Sequence, residues 1–153
     1  MKKVGIICFG VVGKVISLTF EKEFIIVKYD KYSNYDKLED TLFSDFVFIS
    51  VPTPFDYKKN RVDLSAVHDS LSFLNDKNYK GTVIVKSTLP IGSCDIFIKE
   101  YDLNLVYNPE FLRESKTPFE DFENQADVVI GTSNENSFFL VKSLYESVLS
   151  NST

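Results

Sequence analysis

Lys3-Val-Gly-Ile-Ile-Cys-Phe-Gly-Val-Val-Gly13 is the stretch that decides the fold. Val4, Ile6, Ile7 and Phe9 form an almost wholly apolar run, the pattern of a strand buried on both faces. Gly10 and Gly13 follow at once, then an amphipathic run over residues 11–21 with Val12, Val15, Ile16 and Phe20 near helical spacing. Strand, glycine turn and helix make a nucleotide-binding βα unit. The next strand-like run, residues 24–29, ends at Asp30, twenty positions past Gly10, where an acidic residue meets the ribose hydroxyls of NAD. The turn reads Cys8-x-Gly10-x-x-Gly13, so a cysteine stands where the first glycine of the G-x-G-x-x-G pattern permits the tight turn. The same glycines would also serve an ordinary βαβ unit that needs them only for close packing.

Outward from this unit, the 153 residues have the length of one domain, and 44% hydrophobic residues suffice for a sizeable core. A net charge of −5 argues against a nucleic-acid partner. Cys8 and Cys94 are the only cysteines, too few for a disulfide framework, so a reducing, cytoplasmic compartment is expected. No window approaches a membrane span, and the N-terminus enters strand one directly, so neither a membrane partner nor a signal peptide is expected. No metal site is expected.

Further strands are predicted at residues 45–51, 82–86, 103–107 and 127–130, and helices at 37–43, 63–75, 94–101 and 135–149. Asp63 is placed as the cap of the second of these helices, residues 56–61 as a charged loop, and Phe138, Val141, Tyr145 and Val148 as the buried stripe of the last. Strands alternating with helices mean an α/β, Rossmann-like domain: a mostly parallel six-stranded sheet in the order 2-1-3-4-5-6, with helices on both faces. Gly10, Asp30, Thr53, Thr88 and Glu110 each follow a strand, and the carboxyl ends of the strands are where ligands bind in such sheets.

Three later segments sharpen this reading: Val51-Pro-Thr-Pro-Phe55, Ser87-Thr-Leu-Pro-Ile-Gly92 and Asn108-Pro-Glu-Phe-Leu-Arg-Glu114. With the glycine turn and Asp127-Val-Val-Ile-Gly131, they resemble the UDP-glucose/GDP-mannose dehydrogenase family, over its N-terminal NAD-binding domain and nearly the whole chain. That family oxidises the 6-hydroxyl of a nucleotide sugar to a carboxylate in two NAD-dependent steps. The resemblance implies NAD as cofactor and UDP-glucose or GDP-mannose as substrate. It implies that Cys8, Phe9, Gly10, Val11, Val12 and Gly13 wrap the pyrophosphate, and that Asp30 takes the adenosine ribose. Val51, Pro52, Thr53 and Pro54 would line the cofactor cleft. Ser87 and Thr88 would lie near the nicotinamide, Thr88 also orienting a catalytic water. Glu110 would be the acid/base residue. Glu110, Phe111, Leu112, Arg113 and Glu114 would contact substrate, Glu114 also the cofactor.

The residues read on their own leave alternatives open. Thr88 and Glu110, both at strand ends, could share a water; Thr88 could instead cap the next helix, and Glu110 could be a solvated loop carboxylate. Arg113 could pair with a phosphate or lie exposed. His68, on the 63–75 helix away from the strand ends, reads as a surface or packing residue, and Cys94 as an inert helix residue. The sequence also departs from the family at Cys8, at Ser115 and Asp127, and in the short segment between Asp30 and Asp45. The family's central helix and C-terminal sugar-binding domain, with its lysine, asparagine and nucleophilic cysteine, find no match in these residues. The expectation is therefore an NAD-binding domain, inactive alone, with a homodimer or a missing C-terminal half as partner. A stand-alone dinucleotide-binding or regulatory module is the second reading, and a β-hydroxy acid or 6-phosphogluconate-type dehydrogenase the third.

Overall fold

A computed structural model describes residues 1–111, 117–125 and 127–149. Strand β1 (Lys3–Ile7) leads through helix α1 (Val11–Phe20) to β2 (Ile25–Tyr29), and a 3₁₀ turn (Leu38–Phe43) leads on to β3 (Phe46–Ile49). A two-stranded hairpin, β4 (Phe55–Asp56) and β5 (Arg61–Val62), then precedes α2 (Ser65–Asp76) and β6 (Thr82–Val85). Helix α3 (Ser93–Glu100), β7 (Asn104–Tyr107), α4 (Pro118–Glu123) and α5 (Glu135–Glu146) complete the described chain.

Five strands form one parallel sheet in the order β2-β1-β3-β6-β7. The order reverses between β1 and β3, which makes the crevice at their carboxyl ends the topological switch point. Strand side chains alternate between two cores. Val4, Ile6, Phe46, Phe48, Ile84 and Val106 face α1 and α5. Ile7, Val47, Ile49, Val83, Val85 and Leu105 face α2 and α3. Both faces are covered, which is why these strands read as unbroken apolar runs.

The Rossmann-like class stands; the sixth strand does not. Residues 127–130 form no strand, and the segment meets β7 at a single antiparallel bridge between Tyr107 and Gly131. There the two backbones exchange N–H···O bonds of 2.8 and 2.7 Å. Side chains take over where a ladder would have continued: Asn108 Nδ2 donates to the Val129 carbonyl and Thr132 Oγ1 to that of Leu105. Val128 and Ile130 still pack on the core, and this accounts for the strand-like alternation.

Three local readings also change. The charged 56–61 loop is the tip of the β4–β5 hairpin, where Asp56 Oδ1 accepts the N–H groups of Lys58 and Lys59. Asp63 accepts the Ser65 N–H at 2.9 Å, one position before the cap itself, Leu64, and that bond holds its carboxyl below the usual range. On α5 the buried stripe is Ser137, Val141, Leu144 and Tyr145, while Phe138 lies at its edge, 37% exposed.

Phe20 closes one core at the end of α1. Its ring lies 5.4 Å from that of Phe48, 5.5 Å from Tyr145 and 6.0 Å from Phe24, and it is fully buried. Phe20→Ala is expected to cost ~3–5 kcal/mol through the cavity it leaves. Urea unfolding measures this, and a loss below ~1.5 kcal/mol would show that α1 and α5 collapse onto the gap.

Candidate functional site

The turn after β1 has a backbone that only a few residues tolerate. Cys8 sits at φ 76°, in the left-handed region, where a glycine would be unstrained. Its N–H donates to the Tyr29 carbonyl and its own carbonyl accepts Ser50 Oγ, both at 2.9 Å, so the ends of β1, β2 and β3 meet at this one residue. A Cβ on Gly13 would overlap the Cys8 carbonyl oxygen, so α1 can lie this close only with glycine there. A Cβ on Gly10 would meet nothing within 4 Å. That open space lies at the N-terminus of α1, which has no side-chain cap and no acidic residue in its first turn. Uncapped N–H groups of a helix's first turn favour an anion.

Asp30 closes the other side of the turn. Its Oδ2 accepts the Phe9 N–H and its Oδ1 the Tyr32 N–H, each at 2.9 Å, so the carboxylate is fixed at the end of β2 with lone pairs to spare. Burial, then the neighbouring Asp30 charge, hold the Cys8 thiol above its ordinary pKa, and the Gly10 N–H only partly offsets them; it is a poor nucleophile there. A cleft of about 290 Å³ opens between these groups, lined by Cys8, Asp30, Val51, Pro52 and residues of α2. It lies at the switch point, with room for part of a dinucleotide. The open approach at Gly10, the uncapped helix and the fixed carboxylate fit a dinucleotide's pyrophosphate and ribose. Hollows of about 380 and 570 Å³ lie beside the hairpin and outside the β7 edge.

The loops after β3 and β6 are tied together. Ser87 Oγ donates to the Val51 carbonyl at 2.7 Å and Thr53 Oγ1 to the Thr88 carbonyl at 2.9 Å. The Ser87 proton is thus spent inside the protein, while Thr88 is exposed. Thr88 caps nothing: α3 begins at Ser93 behind Gly92, which takes φ 85°. Pro54 is exposed beside the hairpin. His68 packs edge-on against Phe97 and shares a 2.8 Å hydrogen bond with Tyr101, away from both strand-end sites. Cys94 lies on α3, its thiol raised by burial and by Asp95.

Glu110 is not a solvated loop residue. Its carboxylate pairs at 3.0 Å with the ammonium of Lys86, whose side chain is 3% exposed. Lys86 Nζ also donates to Asn108 Oδ1 at 2.9 Å and to the Tyr145 hydroxyl at 3.3 Å, and it lies 5.6 Å from the centre of the Phe122 ring. The Tyr145 hydroxyl donates to Asn108 Oδ1 in turn. Burial lowers the Lys86 pKa and Glu110 opposes that shift; burial and Glu110 together raise Tyr145. This cluster holds Glu110 at the ends of β6 and β7. Sequence reasoning named Glu110 but missed Lys86, Asn108 and Tyr145. The signal was a lysine directly after three apolar strand residues, Val83, Ile84 and Val85, and before Ser-Thr. Phe111 is 68% exposed, and Leu112, Arg113 and Glu114 lie outside the described residues.

The fold and the switch-point cleft define a dinucleotide-binding domain of the dehydrogenase type. A profile of the UDP-glucose/GDP-mannose dehydrogenase family, NAD binding domain, matches residues 26–149, and the chain belongs to that family. The dinucleotide of this domain is NAD. The UDP-glucose 6-dehydrogenase of Rickettsia typhi is 36% identical over 107 residues, 66% of this chain and 24% of that protein. The chain thus spans about a quarter of the length of the curated relatives it matches. Among solved structures, the GDP-mannose dehydrogenase of Pseudomonas aeruginosa shares the fold with a TM-score of 0.79 at 22% identity, over 95% of this chain and 44% of that one. The NDP-N-acetyl-D-galactosaminuronic acid dehydrogenase of Methanosarcina mazei Go1 does so at 0.77 and 19%, over 97% and 42%. The family match begins past the glycine turn, the segment where Cys8 replaces the first glycine.

Two substitutions separate these features. Cys8→Gly relieves a left-handed residue, worth ~1–3 kcal/mol, against ~0.5–1 kcal/mol for glycine's greater freedom when unfolded. It is expected to leave stability equal or raised and NAD binding equal or better. A clear loss of affinity by calorimetry would give the thiol a role of its own. Lys86→Met removes the buried ammonium that faces the Glu110 carboxylate and is expected to cost ~3–5 kcal/mol. Adding Glu110→Gln should restore ~1–3 kcal/mol, and strictly additive losses in urea unfolding would mean that the pair is not coupled.

Proposed function

We propose that this chain forms the cofactor side of the active site of a nucleotide-sugar 6-dehydrogenase, acting on UDP-glucose or GDP-mannose. The observation that carries the reading is the Glu110 carboxylate, held by a buried ammonium on the same sheet edge as the dinucleotide cleft. Residues 8–13 hold the pyrophosphate against the N-terminus of α1, and Asp30 accepts from the adenosine ribose. Val51, Pro52, Thr53 and Pro54 wall the cleft, with Ser87 and Thr88 toward the nicotinamide. NAD, when bound, supplies the hydride acceptor.

Glu110 takes up the proton that an oxidised hydroxyl or an attacking water gives up, and Thr88 orients that water with its exposed hydroxyl. Lys86 keeps the carboxylate in place from beneath. Phe111, Leu112, Arg113 and Glu114 are assigned to the substrate by the resemblance to the family, Glu114 also to the cofactor. Neither cysteine suits the nucleophile of the aldehyde-trapping step: Cys8 lies in the pyrophosphate turn and Cys94 on α3, both with raised pKa values. Among the described residues no helix is long and apolar enough to cross a membrane. Both thiols are free, in keeping with a reducing, cytoplasmic setting. Pairing with a second copy is part of the same proposal.

Titration calorimetry with NAD and NADP tests the cofactor site. NAD is expected to bind at least about tenfold more tightly, because Asp30 repels a 2′-phosphate, and Asp30→Ser should narrow the gap. Equal affinities in the parent would sink the assignment of Asp30. In an NADH absorbance assay with either sugar nucleotide, the 153 residues alone are expected to give no steady turnover. Turnover that survives loss of both thiols would overturn the family chemistry for this chain.

A further inference from the structure

Asp69 stands on α2 and lines the strand-end cleft opposite the turn that carries Asp30. The walls between them are mostly apolar, with Ile7, Leu38, Val51, Pro52 and Ala66 contributing. Asp30 is engaged by two backbone N–H groups, whereas Asp69 has no hydrogen bond or ion pair among the described residues. The other polar side chain that α2 brings to the cleft is Ser70, and its hydroxyl donates back to the Ala66 carbonyl at 2.8 Å. Lys31 and Tyr32 lie at the β2 end, where the ammonium sits 5.9 Å from the centre of the tyrosine ring. The wall formed by α2 therefore offers a ligand the Asp69 carboxylate as a charged acceptor and, with the Ser70 proton already engaged, no free donor.

This inference rests on the cofactor reading, in which Asp30 takes the ribose. A base attached to that ribose lies between the apolar walls, and its polar edge reaches the α2 side. Adenine presents an exocyclic amine, a donor, at C6; hypoxanthine presents an oxygen there, an acceptor, and carries its N–H on the neighbouring ring nitrogen, so a carboxylate that faces the C6 substituent tells the two apart. We propose that Asp69 makes the cleft selective for an amino-purine, accepting a hydrogen bond from the adenine amine and turning away an oxo-purine. Because Asp69 is exposed, solvent weakens the bond, and its effect is better seen as discrimination between bases than as raw affinity.

The experiment is calorimetric titration of the full chain with NAD and with nicotinamide hypoxanthine dinucleotide, which differ at the C6 substituent and in the proton on the neighbouring ring nitrogen. NAD is expected to bind about threefold or more tightly, as a charge-assisted bond at a wet rim allows. Asp69→Ala should bring the ratio to about one, even where loss of a negative charge strengthens both ligands. Asp69→Asn, whose amide can donate, should favour the hypoxanthine form relative to the parent. The site is exposed, so circular dichroism should confirm that both variants fold like the parent. Equal affinities in the parent, or a ratio unchanged in Asp69→Ala, would overturn the role of Asp69 while leaving the cofactor site standing. Failure of both dinucleotides to bind the parent would overturn the cofactor reading and this inference with it.

Discussion

No side chain fits between Gly13 and the Cys8 carbonyl, and the sheet edge is built on that contact. It lets α1 come down directly on the end of β1, so the first-turn N–H groups of the helix point over the switch point. The same residue is held from both sides: Ser50 Oγ donates to its carbonyl from the end of β3, and its N–H donates to the Tyr29 carbonyl at the end of β2. Three strand ends are thus registered around one residue, and Asp30 is fixed to the adjacent Phe9 N–H. The left-handed backbone at Cys8 is the strain that this arrangement imposes.

Two kinds of electrostatics share this edge. At the glycine turn the positive end is made of backbone, a helix terminus free of acidic residues, in a chain whose net charge is −5. Oriented backbone dipoles add no titrating group, so the helix terminus itself keeps its field as pH changes. At β6 and β7 the field comes from a buried ammonium and a carboxylate. Such a pair is costly to desolvate and persists only where every partner is in place. The first suits holding a phosphate, the second suits moving a proton.

The five parallel strands and their order were legible because strands covered on both faces leave unbroken apolar runs. The sixth was misread because Val128 and Ile130 pack on the core without a ladder, a distinction that alternation alone does not carry. The hairpin at 55–62 was missed since its strands are two residues long and its tip is charged. Helix α4 gave a single turn and a half of mixed polarity behind Pro118, too little periodicity to register. In the site, Cys8, Gly13, Asp30 and Glu110 follow from local spacing and motif. Asp69 needed the orientation of α2, which no local pattern supplies.

Lys86 marks the limit of such reading and what lies past it. Its partners stand 22 and 59 residues away, on the loop after β7 and on α5. The apolar run before Lys86 puts it at a strand end without saying that it is buried; the packing of Phe122 and Tyr145 decides that. A buried ammonium without these groups would lose its proton or open the core to water. Glu110 is therefore aimed only when α4 and α5 have docked on the sheet. The strand-end carboxylate and the folding of the last described helix are one event, and any change that loosens α5 from Phe20 and Phe48 also loosens the seat of Glu110.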